Sequence, residues 1–439
     1  MKGDHRFPFL SLITVSLRFL LINPWIVDTA AYNFWIRPLG LYALAQWIAE
    51  RGGECVFIDC LSPARAPGRF PVDEVPTPEC VRAAGLRRRF RRYGIGLDQF
   101  MWRLKGAGRV NAVLVTSAMS YWYPGVQMVI ELVRKVMPGV PVILGGVYPT
   151  LWPVHAKRHS LADHVIQGPL ERVQRLLAGL LKLPEAPVRQ ARPWYRLGLH
   201  DQADFSAIRT ASGCPFRCSY CASRLVSGPF RPRRPKDILE EIQALYGMGV
   251  RQVCFYDDAL LVDFDTRLGP VLEDVKARGM DMVFHTPNAM HASLVDRHVA
   301  SLLFMTCFRT LRISLETVDR TRQQKSGGKV ASSDVEVAVR YFTEAGYRPE
   351  EIGVYLLAAL PGQDIHEVRA GIEFVKAMGA KPYIAEMSPI PGTGTWHEFR
   401  QMGLVHDDMD PLLTNNSLFY QWSGFCTQHE FQKLRAMCA

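Results

Sequence analysis

Gly213-Cys214-Pro215-Phe216-Arg217-Cys218-Ser219-Tyr220-Cys221 is the stretch on which the reading of this chain turns. Its C-x3-C-x2-C spacing lets one short loop wrap three thiolates around a [4Fe-4S] cube, a cluster type that cysteine thiolates hold. A cube takes four ligands, so three cysteines leave one iron open to a further molecule. From spacing alone the rival is a structural zinc ion, which three close cysteines and a distant fourth ligand would also satisfy. Gly213 and Pro215 suit a tight loop close to a ligand, as they would suit any tight loop.

Downstream of this loop, short apolar runs at 252–256, 282–285, 310–315, 352–357 and 383–387 follow an earlier one at 205–210, with amphipathic stretches such as 235–246 between them. Such alternation predicts six βα units forming a partial (β/α)6 barrel, with its chemistry at the carboxyl ends of the strands. Upstream, apolar runs at 18–22, 54–58, 112–116, 140–144 and 164–167, with helical spacing at 39–50 and 126–136, predict a doubly wound, Rossmann-like sheet. Ligands of such a sheet belong beyond its strand ends, here the loops around Asn23-Pro24-Trp25, Thr116-Ser117-Ala118-Met119 and Gly145-Gly146-Val147-Tyr148. The expected class is therefore α/β: a Rossmann-like domain over 17–184 with a polar insertion at about 62–108, a linker at 185–203, the barrel over 204–400, and a small, mostly helical tail over 401–439.

Composition narrows the class further. The chain has 439 residues, 48% hydrophobic and 21% charged, too long for one core and too ordinary for disorder or a repeat array. Ten irregularly spaced cysteines do not make a secreted disulfide framework, and thiolate-bound clusters call for a reducing compartment, so a cytoplasmic location is expected. Lys2 and Arg6 ahead of the apolar residues 7–17 loosely imitate a signal peptide, but Arg18 interrupts the run and no small-residue cleavage site follows closely. Residues 1–16 are read as an extension before the first strand, open to peripheral membrane contact, and no apolar run is long enough to span a bilayer. The net charge of +10 is concentrated in Arg87, Arg88, Arg89, Arg91 and Arg92 and in Arg231, Arg233, Arg234 and Lys236, without any nucleic-acid-binding motif. A solvated basic face or an anionic small substrate accounts for these runs as well, and nucleic acid is not the expected partner.

Each expected barrel strand ends in a distinctive phrase: Phe255-Tyr256-Asp257-Asp258, His285-Thr286-Pro287-Asn288, Arg312-Ile313-Ser314-Leu315-Glu316-Thr317, Leu360-Pro361-Gly362-Gln363 and Ser388-Pro389-Ile390-Pro391-Gly392-Thr393. With the cysteine loop and the aromatic Tyr220 before its last cysteine, this series resembles the radical S-adenosylmethionine (SAM) superfamily, in the branch with an N-terminal cobalamin-binding domain, over roughly residues 18–400. The resemblance implies a [4Fe-4S] cluster on Cys214, Cys218 and Cys221 that cleaves SAM to a 5′-deoxyadenosyl radical. It implies that Asp257 and Asp258 meet the methionine ammonium of SAM and that Glu316 meets its ribose or amino group. Pro361, Gly362 and Pro391 would approach the adenine and ribose through backbone groups. Cobalamin would dock on residues 117–125, beginning at Ser117, with Gly145 and Gly146 allowing close approach. The chain lacks the D-x-H-x-x-G motif of cobalamin proteins that replace the lower axial base with histidine, so cobalamin is expected here with its lower base detached and no protein histidine in its place.

The structural alternatives at these positions are specific. Asp257 and Asp258 would serve equally as helix N-caps, Glu316 as an ion-pair partner of Arg312 or Arg320, and His285 as a satisfied polar group. Cys254 and Cys307 read as small buried hydrophobes, and Cys426 and Cys438 do not define a second cluster. The expected activity is methyl transfer to an unreactive carbon of an unidentified small-molecule or peptide substrate, with electrons from a flavodoxin or ferredoxin. The alternatives are a cobalamin-independent radical rearrangement or ring formation, and a non-catalytic iron-sulfur or cobalamin sensor.

Overall fold

A computed structural model describes residues 17–62, 67–187, 194–197 and 205–439. The N-terminal extension lies outside the described residues, as does most of the expected linker. In the N-terminal half, five parallel strands stand in the order Glu54–Asp59, Arg18–Asn23, Ala112–Val115, Val142–Leu144, His164–Val165. Their runs are apolar throughout because both faces are covered. Leu20, Ile22, Val113 and Val115 pack on the side of helix Tyr123–Val136, while Phe19, Leu21 and Leu114 pack on the side of helix Leu39–Glu50. Strand order reverses between Arg18–Asn23 and Ala112–Val115, which puts the ligand crevice of a doubly wound sheet beyond Asn23 and Thr116.

The segment expected as a polar insertion is folded. Val72–Val75 and Ile26–Asp28 flank Phe90–Tyr93 in a three-stranded antiparallel sheet, and helices Glu79–Ala83 and Leu97–Gly106 complete the unit. Opposite charges face each other across these strands, Asp73 opposite Arg92 and Glu74 opposite Arg91. Several residues of the two basic runs are paired, although Arg87, Arg89, Arg231, Arg234 and Lys236 remain exposed. Arg88 reaches the Tyr420 hydroxyl and Arg92 pairs with Asp73. Arg231 pairs with Glu171, Arg233 with Glu241 and Arg234 with Asp237.

Six parallel strands make the second half: Phe205–Ile208, Gln252–Phe255, Val283–His285, Phe308–Glu316, Ile352–Ala358 and Lys381–Glu386. Outside them run helices Pro235–Gly247, Leu268–Ala277, Arg297–Met305, Ser332–Ala345 and Ile365–Ala377. Phe255, Phe284 and Phe308 form an aromatic layer under these helices, with ring centroids 5.4 to 5.6 Å apart. The first and last strands do not pair, so the barrel is open on one side.

The loop after Ile26–Asp28 crosses to the first barrel strand. There the Arg37 guanidinium lies 4.1 Å over the Phe205 ring and Trp35 stacks on His285 at 3.8 Å. The tail, expected as a helical appendage, is indeed helical, with helices Asn416–Trp422 and Gln428–Met437, but it works as a clamp. Asn415 Nδ2 donates to buried Asp28 at 2.8 Å, the Tyr123 hydroxyl donates to Asp410 at 2.9 Å, and Ser417 meets Thr29 at 2.8 Å. No described helix is long and apolar enough to cross a membrane.

Candidate functional site

The cysteine loop leaves the end of the first barrel strand through Gly213. Its φ is +72°, and a Cβ there would lie 2.4 Å from the Pro229 carbonyl oxygen and 2.5 Å from that of Gly228, so only glycine fits. Two neighbours pin the loop by its backbone. Ser219 N donates to Ser326 O at 3.1 Å, and Thr395 N donates to Ser219 O at 3.0 Å. Ser326 follows the fourth strand, and Thr395 follows the turn that contains Pro391. Gly392 of that turn packs towards Leu225 in helix Ser223–Ser227, immediately after the last cysteine.

Cys214 is buried, Cys218 half-buried and Cys221 exposed. Burial pushes the Cys214 thiol up, as do the nearby charges of Cys221 and Cys218, against the pull of the Phe216 N–H. Burial also raises Cys218, with Lys329 opposing it. No group of three or more His, Cys, Asp or Glu among the described residues converges on a single ion.

Glu316 ends the fourth strand at a shift in register and carries φ +70°, a strained conformation for a residue with a side chain. Its Oε1 accepts from the Tyr220 hydroxyl at 2.7 Å and from Lys329 Nζ at 3.0 Å. The cation beside Glu316 is thus Lys329 rather than Arg312 or Arg320. Arg312 instead donates to the Tyr383 hydroxyl at 3.0 Å, within the barrel wall. Burial, the Glu316 charge and the Cys218 charge all raise the Tyr220 phenol, which stays protonated and donates.

The two aspartates expected at SAM separate in role. Asp257 is 2% exposed, and its Oδ1 accepts from Thr210 N at 2.9 Å, Thr210 Oγ1 at 2.7 Å and Ala211 N at 2.7 Å, with Arg267 at 3.7 Å. These contacts tie it to the strand end that feeds the cysteine loop. Asp258 is half-buried and accepts from Ser223 Oγ at 3.1 Å, and Ser223 Oγ lies 3.1 Å from Cys221 Sγ. The Pro361 carbonyl accepts from Arg322 at 2.5 Å, so that oxygen is already engaged. Gly362, at φ +67°, has open space where a Cβ would stand. His285 is 5% exposed with Nδ1 2.9 Å from Thr310 Oγ1, and burial lowers it to about 4.

A second cavity, of about 310 Å³, opens where the crevice rule puts it. Asn23, Trp25, Ser117, Met119, Gly145 and Gly146 line its N-terminal side, and Arg209, Val226 and Tyr256 of the barrel its other side. Ser117 holds the floor. Its hydroxyl donates to Gly145 O at 3.0 Å and accepts from Tyr148 N at 3.1 Å, and its backbone packs so tightly that a Cβ on Gly146 would lie 2.4 Å from its carbonyl. Gly145 has nothing within 4 Å of where a Cβ would stand. Among the described residues, no histidine lines the cavity.

Sequence reasoning missed Lys329, the Trp35 crossing, and His291, whose ring stacks on Phe216 of the cysteine loop at 3.8 Å. None belongs to a motif; each becomes visible only through the fold.

Residues 208–375 match the radical SAM superfamily. The structure of the radical SAM methyltransferase TsrM from Kitasatospora setae, with cobalamin and a [4Fe-4S] cluster bound, superposes with a TM-score of 0.64, covering 88% of this chain and 75% of that one at 17% identity. An uncharacterized methyltransferase of Pyrococcus horikoshii is 25% identical over 324 residues, 65% of this chain and 68% of that protein. The ribosomal protein uS12 methylthiotransferase RimO of Streptomyces griseus is 33% identical over 119 residues, 27% of this chain and only 22% of its own length. Residues 208–375 thus carry a radical SAM domain, in a chain whose fold is shared along most of its length with that cobalamin-bound methyltransferase structure.

Proposed function

We propose that this chain transfers a methyl group to an unreactive carbon of a small-molecule or peptide substrate, using a [4Fe-4S] cluster on Cys214, Cys218 and Cys221, SAM, and cobalamin in the interdomain cavity. The observation that carries the reading is the position of that cavity. It lies at the switch point of the N-terminal sheet and is closed by barrel residues Arg209, Val226 and Tyr256, with Val226 on the short helix that follows Cys221. When bound, these cofactors supply one-electron cleavage of SAM and a carrier for the methyl group.

The chain's own residues do the rest. Gly213, Ser326 and Thr395 fix the cysteine loop, and Asp257 with Arg267 fixes the strand end beneath it. Glu316, charged and near the thiols, is suited to the methionine ammonium, with Asp258 as a second carboxylate next to Cys221. Gly362 leaves room for close approach of a planar ring. Ser117, Gly145 and Gly146 would hold cobalamin in that cavity, and none of the described lining residues is a histidine. All ten cysteines are free, which suits a reducing cytoplasm and a flavodoxin or ferredoxin as electron donor.

Anaerobic reconstitution of the full chain, followed by reductant and SAM, tests the reading. One four-iron cluster per chain and release of 5′-deoxyadenosine are expected. Full loading without cleavage would leave a sensor, and cleavage without cobalamin binding would leave a rearrangement or ring-forming enzyme.

A further inference from the structure

Lys329 has no place in the motifs, yet the fold spends two glycines to deliver it. Gly327 and Gly328 carry φ of +117° and +61°, and a Cβ on Gly327 would lie 3.2 Å from Arg217 O and 3.3 Å from Cys218 Cα. The turn therefore runs directly against the cysteine loop, fastened by the Ser219 to Ser326 hydrogen bond of 3.1 Å. The next residue is turned inward. The Lys329 side chain is 14% exposed, its ammonium 3.0 Å from Glu316 Oε1 and 5.7 Å from the centre of the Tyr220 ring. A lysine is seldom buried unless paired, and here the pair sits beside the cysteine loop.

We propose that Lys329 and Glu316 are an opposed pair of charges that sets how readily the cluster on Cys214, Cys218 and Cys221 takes up an electron. The inference rests on the cluster assigned above. Reduction transfers one electron from a one-electron donor, a flavodoxin or ferredoxin in the cell or dithionite in the cuvette, to the cluster. The cluster gains one negative charge and no bond or proton moves. A buried cation nearby favours the reduced form and a buried anion opposes it, since net charge around a cluster is one of the protein's means of setting its potential. Lys329 acts as a positioning and tuning residue; it need not touch the substrate.

The test is a potentiometric titration of the full chain, reconstituted anaerobically without SAM and followed by the paramagnetic resonance of the reduced cluster. Lys329→Met is expected to lower the midpoint by at least about 59 mV, a tenfold change in a one-electron equilibrium. Glu316→Gln is expected to raise it, and Lys329→Arg to hold it near the wild-type value. Opposite signs distinguish charge from a loosened loop, which would move both variants the same way. Shifts of one sign, or none in variants carrying full iron, would overturn the proposal. A Lys329→Met protein that fails to load leaves the decision to the other two variants. Wild-type protein that holds no four-iron cluster would instead overturn the assignment of the site itself.

Discussion

Asp257 offers the sharpest separation between a residue that binds a cofactor and one that holds the scaffold. Asp257→Asn preserves the shape and the Oδ1 acceptor that serves Thr210 and Ala211, and removes the charge together with the weaker Oδ2 acceptor of Thr210 N. Arg267, 2% exposed and 3.7 Å away, would then be buried without its counter-ion, although it still donates to Leu260 O at 2.7 Å and Val262 O at 2.6 Å. Breaking a buried pair in this manner costs about 3–5 kcal/mol, against about 0–1 kcal/mol for an exposed one. Adding Arg267→Met should recover part of that loss, because the double variant no longer buries a lone charge. Urea unfolding of the iron-free proteins measures the cost, and equilibrium dialysis of labelled SAM against the loaded proteins measures binding. Expected are a clear loss of stability and near-normal SAM affinity in the folded fraction. Unchanged unfolding with much weaker SAM binding would refute the reasoning and return Asp257 to the ligand.

Cys218→Ala is expected to lose full iron loading and 5′-deoxyadenosine release together, measured by iron analysis and chromatography. At the cavity, Gly145→Val should fold normally and bind cobalamin at least tenfold more weakly, since its side chain would enter open space. Gly146→Val should instead fail to accumulate as folded protein, because it meets Ser117 backbone at φ +100°. Burial holds His285 down to about 4, so between that pH and about 6.5 the unfolded chain binds more protons than the folded one. Stability therefore falls as pH drops through this window, by about 3 kcal/mol for this group, and His285→Phe should flatten that part of the profile of denaturation midpoint against pH.

The strands of both sheets were legible because a parallel strand covered on both faces must be apolar for its whole length, and few other segments are. The insertion was not. Phe90-Arg91-Arg92-Tyr93 and Val72-Asp73-Glu74-Val75 look like polar loop in isolation and become strands because their charges face each other across the ladder. The cysteine loop was legible as chemistry, since spacing alone restricts what three thiolates can hold. The roles of Asp257 and Glu316 were less so, because both a scaffold strut and a cofactor contact put an acid at a strand end. What separates them is burial and partner: Arg267 with four donated hydrogen bonds for the first, a strained backbone and Lys329 for the second. Lys329 itself could not be read, since the contact that defines it passes around helix Arg320–Lys325 and a two-glycine turn.

Titrating hydroxocobalamin into the full-length, cluster-loaded chain tests the central claim most directly. Absorption spectra should report one cobalamin per chain at micromolar concentration. After reduction, the paramagnetic resonance should show no splitting from a histidine nitrogen, since no described residue lining the cavity is a histidine. A chain that loads its four-iron cluster and binds no cobalamin under these conditions would contradict the account.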